Sequence, residues 1–357
     1  NEIKNFFVRA MVVSLSVVFI AGIVPTTKAF AEPGSVFLWG GYDDDGLFGS
    51  YAEEHGSPAY TTFGDAEEGL QKLRAGAEFD LAWPCQGEIK RWVRAGVLEP
   101  LDPSRIENWN DMFPEVRDLP SGMVDGKNYF APVDWGDTTL FYMPDRVTWM
   151  NDDNESFDLM EDPRVKGKVG ILDSAADSLF LMMHHLGIDI REQDQLTKAA
   201  IDQGINKFRE MRDNGQIRAF FGDTSSMVEA LGNEEIDVAL GWNEIAWNAG
   251  AKMMQPSNGT MTWACGLAIV KGADLDKAYA MINGATSAET SAYLLSEWGY
   301  GHSNKAGFST LTADELAERG VAANPADHLS NGMFSVMPTD EVTDYMEAQW
   351  AEMVAGG

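Results

Sequence analysis

The sequence predicts an α/β protein built from two lobes. Three observations carry this reading. Short apolar strand-like runs alternate with helical stretches, 326 residues follow a leader-like start, and no low-complexity linker interrupts them. A chain of that length exceeds what one core usually holds. Without a disordered linker, the segments that cross between two lobes must themselves be ordered.

Residues 1–31 read as a cleaved signal peptide. Lys4 and Arg9 give a positive start, Met11 to Val24 form an apolar run, and Ala29-Phe30-Ala31 place small residues where a signal peptidase cuts. As a helix that run spans about 21 Å, short of the ~30 Å hydrocarbon core, so a permanent anchor is not expected. No cysteine follows the cut, which argues against a lipid anchor. The reading is export from the cytoplasm through a cleaved signal.

Each element then has its own signal. Residues 36–39 are apolar and strand-forming, and stop at Gly40-Gly41 before Tyr42 and a run of acids. Residues 46–55 suit a helix ended by Gly56, and 59–63 a strand. Asp65 suits the cap of a helix through Ala75, with Leu70 and Leu73 on one face. Residues 79–83 form a strand stopped by Pro84, and 87–95 a helix stopped by Gly96. Residues 99–127, rich in Pro, Asp and Asn, read as irregular. Two strands, 128–133 and 139–143, flank Asp134-Trp135-Gly136-Asp137. A second series follows the polar stretch 151–163. It has a strand at 169–172, a helix over 175–186 capped by Asp173 or Ser174, and a helix over 198–214 closed by Gly215. A strand at 217–221, a helix at 225–231 and strands at 236–241 and 263–270 come next. Helices over 274–286 and 339–354 complete it.

The formal net charge is −30, and −32 without residues 1–31. Such a surface repels nucleic acid and anionic lipid and draws in cations; it also suits any exported protein of a salty habitat, where screening shortens its reach. No basic stripe or nucleic-acid motif is present. Five histidines are scattered without HxxxH spacing, and no P-loop, GxGxxG or GxSxG follows a strand, so no metal or cofactor is expected. Trp39 and Tyr42, at the carboxyl end of the first strand, sit where open α/β sheets bind ligands. On these residues alone, packing of Trp39 into the core is an equal alternative.

An ordered set of motifs spans the chain beyond residue 31: Trp39-x-x-Tyr42, Phe79-Asp80-Leu81-x-x-Pro84, Trp135-Gly136, Gly241-Trp242-Asn243, Trp263 before an apolar strand, and Trp298-Gly299-Tyr300. It resembles the periplasmic spermidine/putrescine-binding proteins of ABC importers. The resemblance implies the type II periplasmic-binding fold, with crossing hinge segments and a ligand cleft between lobes. Lobe 1 would be 32–136 plus 264–308, and lobe 2 would be 137–263 plus 309–357. It implies capture of a small cationic amine and delivery to an ABC permease in the inner membrane, by a monomer, without chemistry on the ligand.

The implied walls are Trp39, Tyr42, Trp242, Trp263 and Tyr300. The acids match less well. Where the family carries two carboxylates near Asp173, this chain has Ser174 and Asp177. The acidic position after Trp263-Ala264 is Cys265, and Cys85 stands near the cleft in lobe 1. Asp137 and Glu244 are the candidates to replace the missing charges, with Asp43 and Asp134 behind them as ordinary loop acids. The loss opens a second ligand class, a compact quaternary ammonium or betaine-like cation. Cys85 and Cys265 both align beside the cleft, which implies a disulfide between them. A different class, a thiaminase-like enzyme with Cys85 as nucleophile, would need a free thiol and a base from His184, His185 or Asp177.

Overall fold

The computed structural model describes residues 32–356; the expected leader over 1–31 lies outside them. Strands β1 (Ser35–Trp39), β2 (Ala59–Phe63) and β3 (Leu81–Ala82) run parallel. Between β2 and β3 lies α1 (Ala66–Arg74), capped by the Asp65 carboxylate, which accepts from the Glu68 N–H. Helix α2 (Ile89–Arg94) follows β3. A second parallel set comprises β5 (Val169–Leu172), β6 (Ile217–Phe221) and β7 (Val238–Trp242), with β5 between the other two.

Two long strands join the sets. In the order β2-β1-β3-β8-β4-β7-β5-β6, β4 (Ala131–Tyr142) and β8 (Met261–Val270) are antiparallel neighbours at the centre. Residues 138–142 of β4 pair with β7, while Ala268 and Ile269 of β8 pair with β3. Each crossing strand is thus hydrogen-bonded to both halves. The two cores lie to either side. One gathers Val36, Leu38, Trp83 and Leu267; the other gathers Leu140, Ile171, Phe180, Phe208 and Trp350. The fold is the expected two-lobed α/β architecture.

Several local expectations change. β4 runs unbroken through 134–137, and all twelve of its residues are buried. Its two aspartates do not end it because each finds donors inside the protein. The expected helix over 46–55 breaks at Gly49, whose φ of 55° leaves a 3₁₀ turn, Asp45–Phe48, and a separate helix, Tyr51–His55. The helix after β5 begins with a π turn, Ala175–Leu179, before α3 (Phe180–His185). Ser174, not Asp173, is its cap; its Oγ accepts from the Asp177 N–H. Helices α4 (Lys198–Asp213) and α5 (Thr224–Gly232) come next, and one further helix, α6 (Asn243–Ala249), follows β7 directly. Among the described residues no helix is long and apolar enough to cross a membrane.

Cys85 and Cys265 are joined by a disulfide that closes 180 residues of chain and ties the loop after β3 to the middle of β8. Closing a loop of that size is worth up to about 5 kcal/mol in the chain-entropy model. The Cys85→Ser/Cys265→Ser protein should therefore denature at distinctly lower urea than the oxidised wild type, with an unchanged far-ultraviolet spectrum. Equal midpoints would show that the β4–β8 ladder alone holds the crossing.

Candidate ligand-binding site

Alternation along β4 sorts its polar residues onto two faces. One face carries Asp134, Gly136 and Thr138; the other carries Trp135, Asp137 and Thr139. Opposite them on β8, Cys265 pairs with Asp134 and Trp263 with Gly136. A side chain at Gly136 would collide with the Trp263 ring and the Asn243 carboxamide, each within 2.5 Å of the added Cβ. Glycine therefore leaves room for the Trp263 indole to approach the strand.

Around Asp134 a nest of rings assembles. Tyr42 Oη donates to Asp134 Oδ2 at 2.8 Å and Trp83 Nε1 donates to Oδ1 at 2.9 Å. Tyr42 meets Trp83 and Trp298 edge-on, with centroids 5.5 and 4.9 Å apart; Trp263 meets Tyr300 the same way at 4.9 Å. Tyr300 Oη donates to Glu244 Oε2 at 2.6 Å, and Trp298 Nε1 to Asp44 Oδ2 at 3.2 Å. The tips of Tyr42, Trp83, Trp298 and Tyr300 thus hand their donors to carboxylates, whereas the buried Trp263 Nε1 has no partner among the described residues. On the second lobe Asp177 accepts from Thr138 Oγ1 and Ser174 Oγ, both at 2.7 Å.

These acids lack compensation. Among the described residues no Lys or Arg forms an ion pair with Asp44, Asp134, Asp177 or Glu244. Asp134 is 1% exposed. Burial drives its carboxyl up to about 6, against the pull of its Tyr42 and Trp83 hydrogen bonds. Burial likewise raises Glu244, despite the Tyr300 hydrogen bond. Both phenols, Tyr42 and Tyr300, rise well above their usual range, through burial first and then through Asp134 and Glu244.

The remaining expected residues distribute unevenly. Tyr42, Glu244, Trp263 and Tyr300 come together, and Cys265 lies beside them. Trp39 ends β1 against Phe63, at 4.6 Å, and Trp242 packs against the Phe141–Met227 cluster while standing opposite Thr138 in register. Asp137 lies on the far face of β4. Its carboxylate is held by Thr262 Oγ1 and His328 Nε2, both at 2.7 Å, away from the nest. Burial opposes the charge on His328, but the adjoining Asp137 outweighs it and raises the imidazole. Cys85 is bonded to Cys265, so a thiolate nucleophile is not available there.

Asp134, Trp83, Trp298 and Asp44 were not foremost among the sequence candidates. The available signal for Asp134 was its position two residues before a glycine that itself faces Trp263.

Fold and site together define a class: a two-lobed protein with crossing strands and an acidic, ring-lined nest beside them. A profile of the bacterial extracellular solute-binding proteins matches residues 57–317, and the chain belongs to that family. It is 25% identical over 358 residues to the putrescine-binding periplasmic protein PotF of Escherichia coli, covering 93% of this chain and 94% of that one. It is also 25% identical to the putrescine/agmatine-binding protein of Pseudomonas aeruginosa, over 90% and 91%. The fold superposes with a TM-score of 0.77 on a putative spermidine/putrescine ABC transporter protein from Listeria monocytogenes, at 22% identity, over 90% of this chain and 99% of that one.

Asp134 provides a pH test. Its carboxyl titrates near 3.8 in an unperturbed chain and near 6 here, so the folded state keeps a proton that the unfolded chain has lost. The resulting cost sets in as pH rises from about 4 to 6 and is complete above that. Asp134→Asn should therefore stabilise the ligand-free protein by roughly 2–3 kcal/mol at pH 7.5 and by little at pH 4, measured by urea denaturation at both values. A destabilised variant at pH 7.5 would mean that the carboxylate is already compensated.

Proposed function

We propose that this protein is the periplasmic capture component of an ABC importer for a polyamine or a related cationic amine. It acts as a monomer, passes its guest unaltered to an inner-membrane permease, and has no dealings with nucleic acid. The observation that carries the reading is the set of buried or half-buried carboxylates without a basic partner, gathered on one cluster of rings. An isolated buried charge is costly, and a guest ammonium supplies the missing counter-charge. Ring faces add about 0.5–2 kcal/mol for a cation placed over them. The ligands named for the Escherichia coli and Pseudomonas relatives are of this class.

In this reading Tyr42, Trp263, Trp298 and Tyr300 wall the cation, with Trp39 and Trp242 reaching the methylene chain from the two lobes. Asp134, Glu244 and Asp44 hold one end of the guest. Asp177, positioned by Ser174 and Thr138, takes the other. Lobe 1 comprises 32–136 and 264–308, and lobe 2 comprises 137–263 and 309–357. Residues 311–329 form a pad against Phe113, Trp135 and Ala264 beneath the crossing.

One observation favours a second reading. Asp134 and Glu244 act on the same pair of phenols, Tyr42 and Tyr300, so two acids converge on one compact nest. A quaternary ammonium or betaine-like cation needs no more than that. A thermal-shift series with putrescine, spermidine, choline and glycine betaine separates the two. Putrescine at a hundred times its dissociation constant should stabilise by about 2.7 kcal/mol, and Trp263→Ala should abolish the shift while keeping its own cooperative melt. A shift with choline alone would transfer the assignment to the compact cation; no shift with any of the four would remove the cationic reading.

A further inference from the structure

Away from the nest, the lobes also meet through a charged seam. Helix α2 buries Ile89 and Trp92 in the core around Phe37, Phe63 and Leu70. The closing helix α7 (Asp340–Val354) buries Met346, Trp350 and Met353 in the core of the other lobe. Their outer faces touch. Arg91 of α2, only 5% exposed, pairs with Glu67 of its own lobe at 2.6 Å, and reaches across to Asp344 at 3.3 Å and Asp340 at 3.6 Å. Arg94 adds a bond to Asp340 at 2.8 Å, and Gln86 Nε2 donates to the Ser335 carbonyl at 3.1 Å.

The seam is otherwise acidic. Glu88 beside Arg91 is 7% exposed and has an oxygen without a partner, and Glu347 of α7 faces Asp65, Glu67 and Asp173. Burial pushes both Glu88 and Glu347 up to about 7; at Glu88 the pull of Arg91 comes next, ahead of the push from Glu347, Glu67 and Asp340, whereas at Glu347 the like charges of Asp65 and Glu67 come before it. Two acid-bearing faces of this kind repel at close range. Arg91 is the buried cation that lets them meet.

We propose that Arg91 is a clamp on lobe closure, and that it sets the affinity for the guest without touching it. The proposal rests on the reading of the two lobes as a hinged trap. A residue that favours the closed arrangement raises apparent affinity in proportion to the closed population. Removing an acid from the same seam must act in the opposite direction, which a merely destabilising substitution would not do.

The test uses three full-length proteins: wild type, Arg91→Met, which keeps an apolar stem for packing, and Glu347→Gln. Small-angle scattering without ligand reads closure directly. Arg91→Met should give a larger radius of gyration than wild type, and Glu347→Gln an equal or smaller one. Putrescine titrated by calorimetry should bind Arg91→Met roughly tenfold more weakly, with a flatter dependence on salt, and Glu347→Gln more tightly. Near-ultraviolet dichroism checks that each variant is folded. An Arg91→Met protein with the wild-type radius and the wild-type putrescine affinity would overturn the clamp. If wild type gives no heat with putrescine, the ligand assignment fails, and the scattering series alone decides the clamp. Should Arg91→Met not fold, Asp340→Asn/Asp344→Asn removes the same cross-lobe pairs from the exposed side, and a wild-type radius in that variant would overturn it equally.

Discussion

Asp134 occupies the middle of a strand that both lobes share, out of contact with water and, among the described residues, without a cation. Its two oxygens accept from Tyr42 and Trp83, which fixes those rings, and through Tyr42 also Trp298. Hydrogen bonds of this kind hold a carboxylate in place but do not neutralise it. Desolvating one ion costs several kcal/mol even after relaxation, on the order of what a small domain has to spare. A charge retained under those terms makes physical sense when a partner arrives from outside. In the proposed reading, the nest, the register of β4 against β8 and the disulfide beside it keep that charge where a guest would meet it.

The crossing strands explain how the same charge can report to both halves. β4 pairs with β7 at one end and with β8 along the rest, and β8 continues onto β3. In the hinged reading proposed above, movement of either lobe would bend this pair, and acids mounted on it would stay near the hinge axis while rings on the lobes approach or leave. Gly136 belongs to the same logic, since any side chain there would push Trp263 off the strand. Asp137, on the opposite face, is part of the hinge's own packing with Thr262 and His328.

Much of this was legible in the sequence, and the failures have physical causes. Alternating runs and caps such as Asp65 revealed the α/β series, because apolar periodicity and capping are local. Trp263 and Tyr300 were legible through their motifs. Asp134 ranked below Asp137 because both lie in a polar tetrapeptide that reads as a loop. Only its pairing with β8 and with Gly301–His302, contacts more than 120 residues away, shows that it is a strand with one aspartate on each face. The π turn at Ala175 depends on packing that no local propensity encodes, whereas Gly49 is a helix breaker visible in the sequence itself. Ser174 was read both as a candidate cap and as a ligand contact; its hydroxyl caps the turn and orients Asp177.

If a guest cation is what completes the Asp134 site, its arrival must lower the affinity of that carboxyl for protons. Calorimetric titration with putrescine at pH 6, repeated in buffers of differing ionisation heat, counts the protons exchanged on binding. The account predicts net release of a sizeable fraction of a proton, lost again in Asp134→Asn. Binding with no proton release, or with uptake, would contradict it.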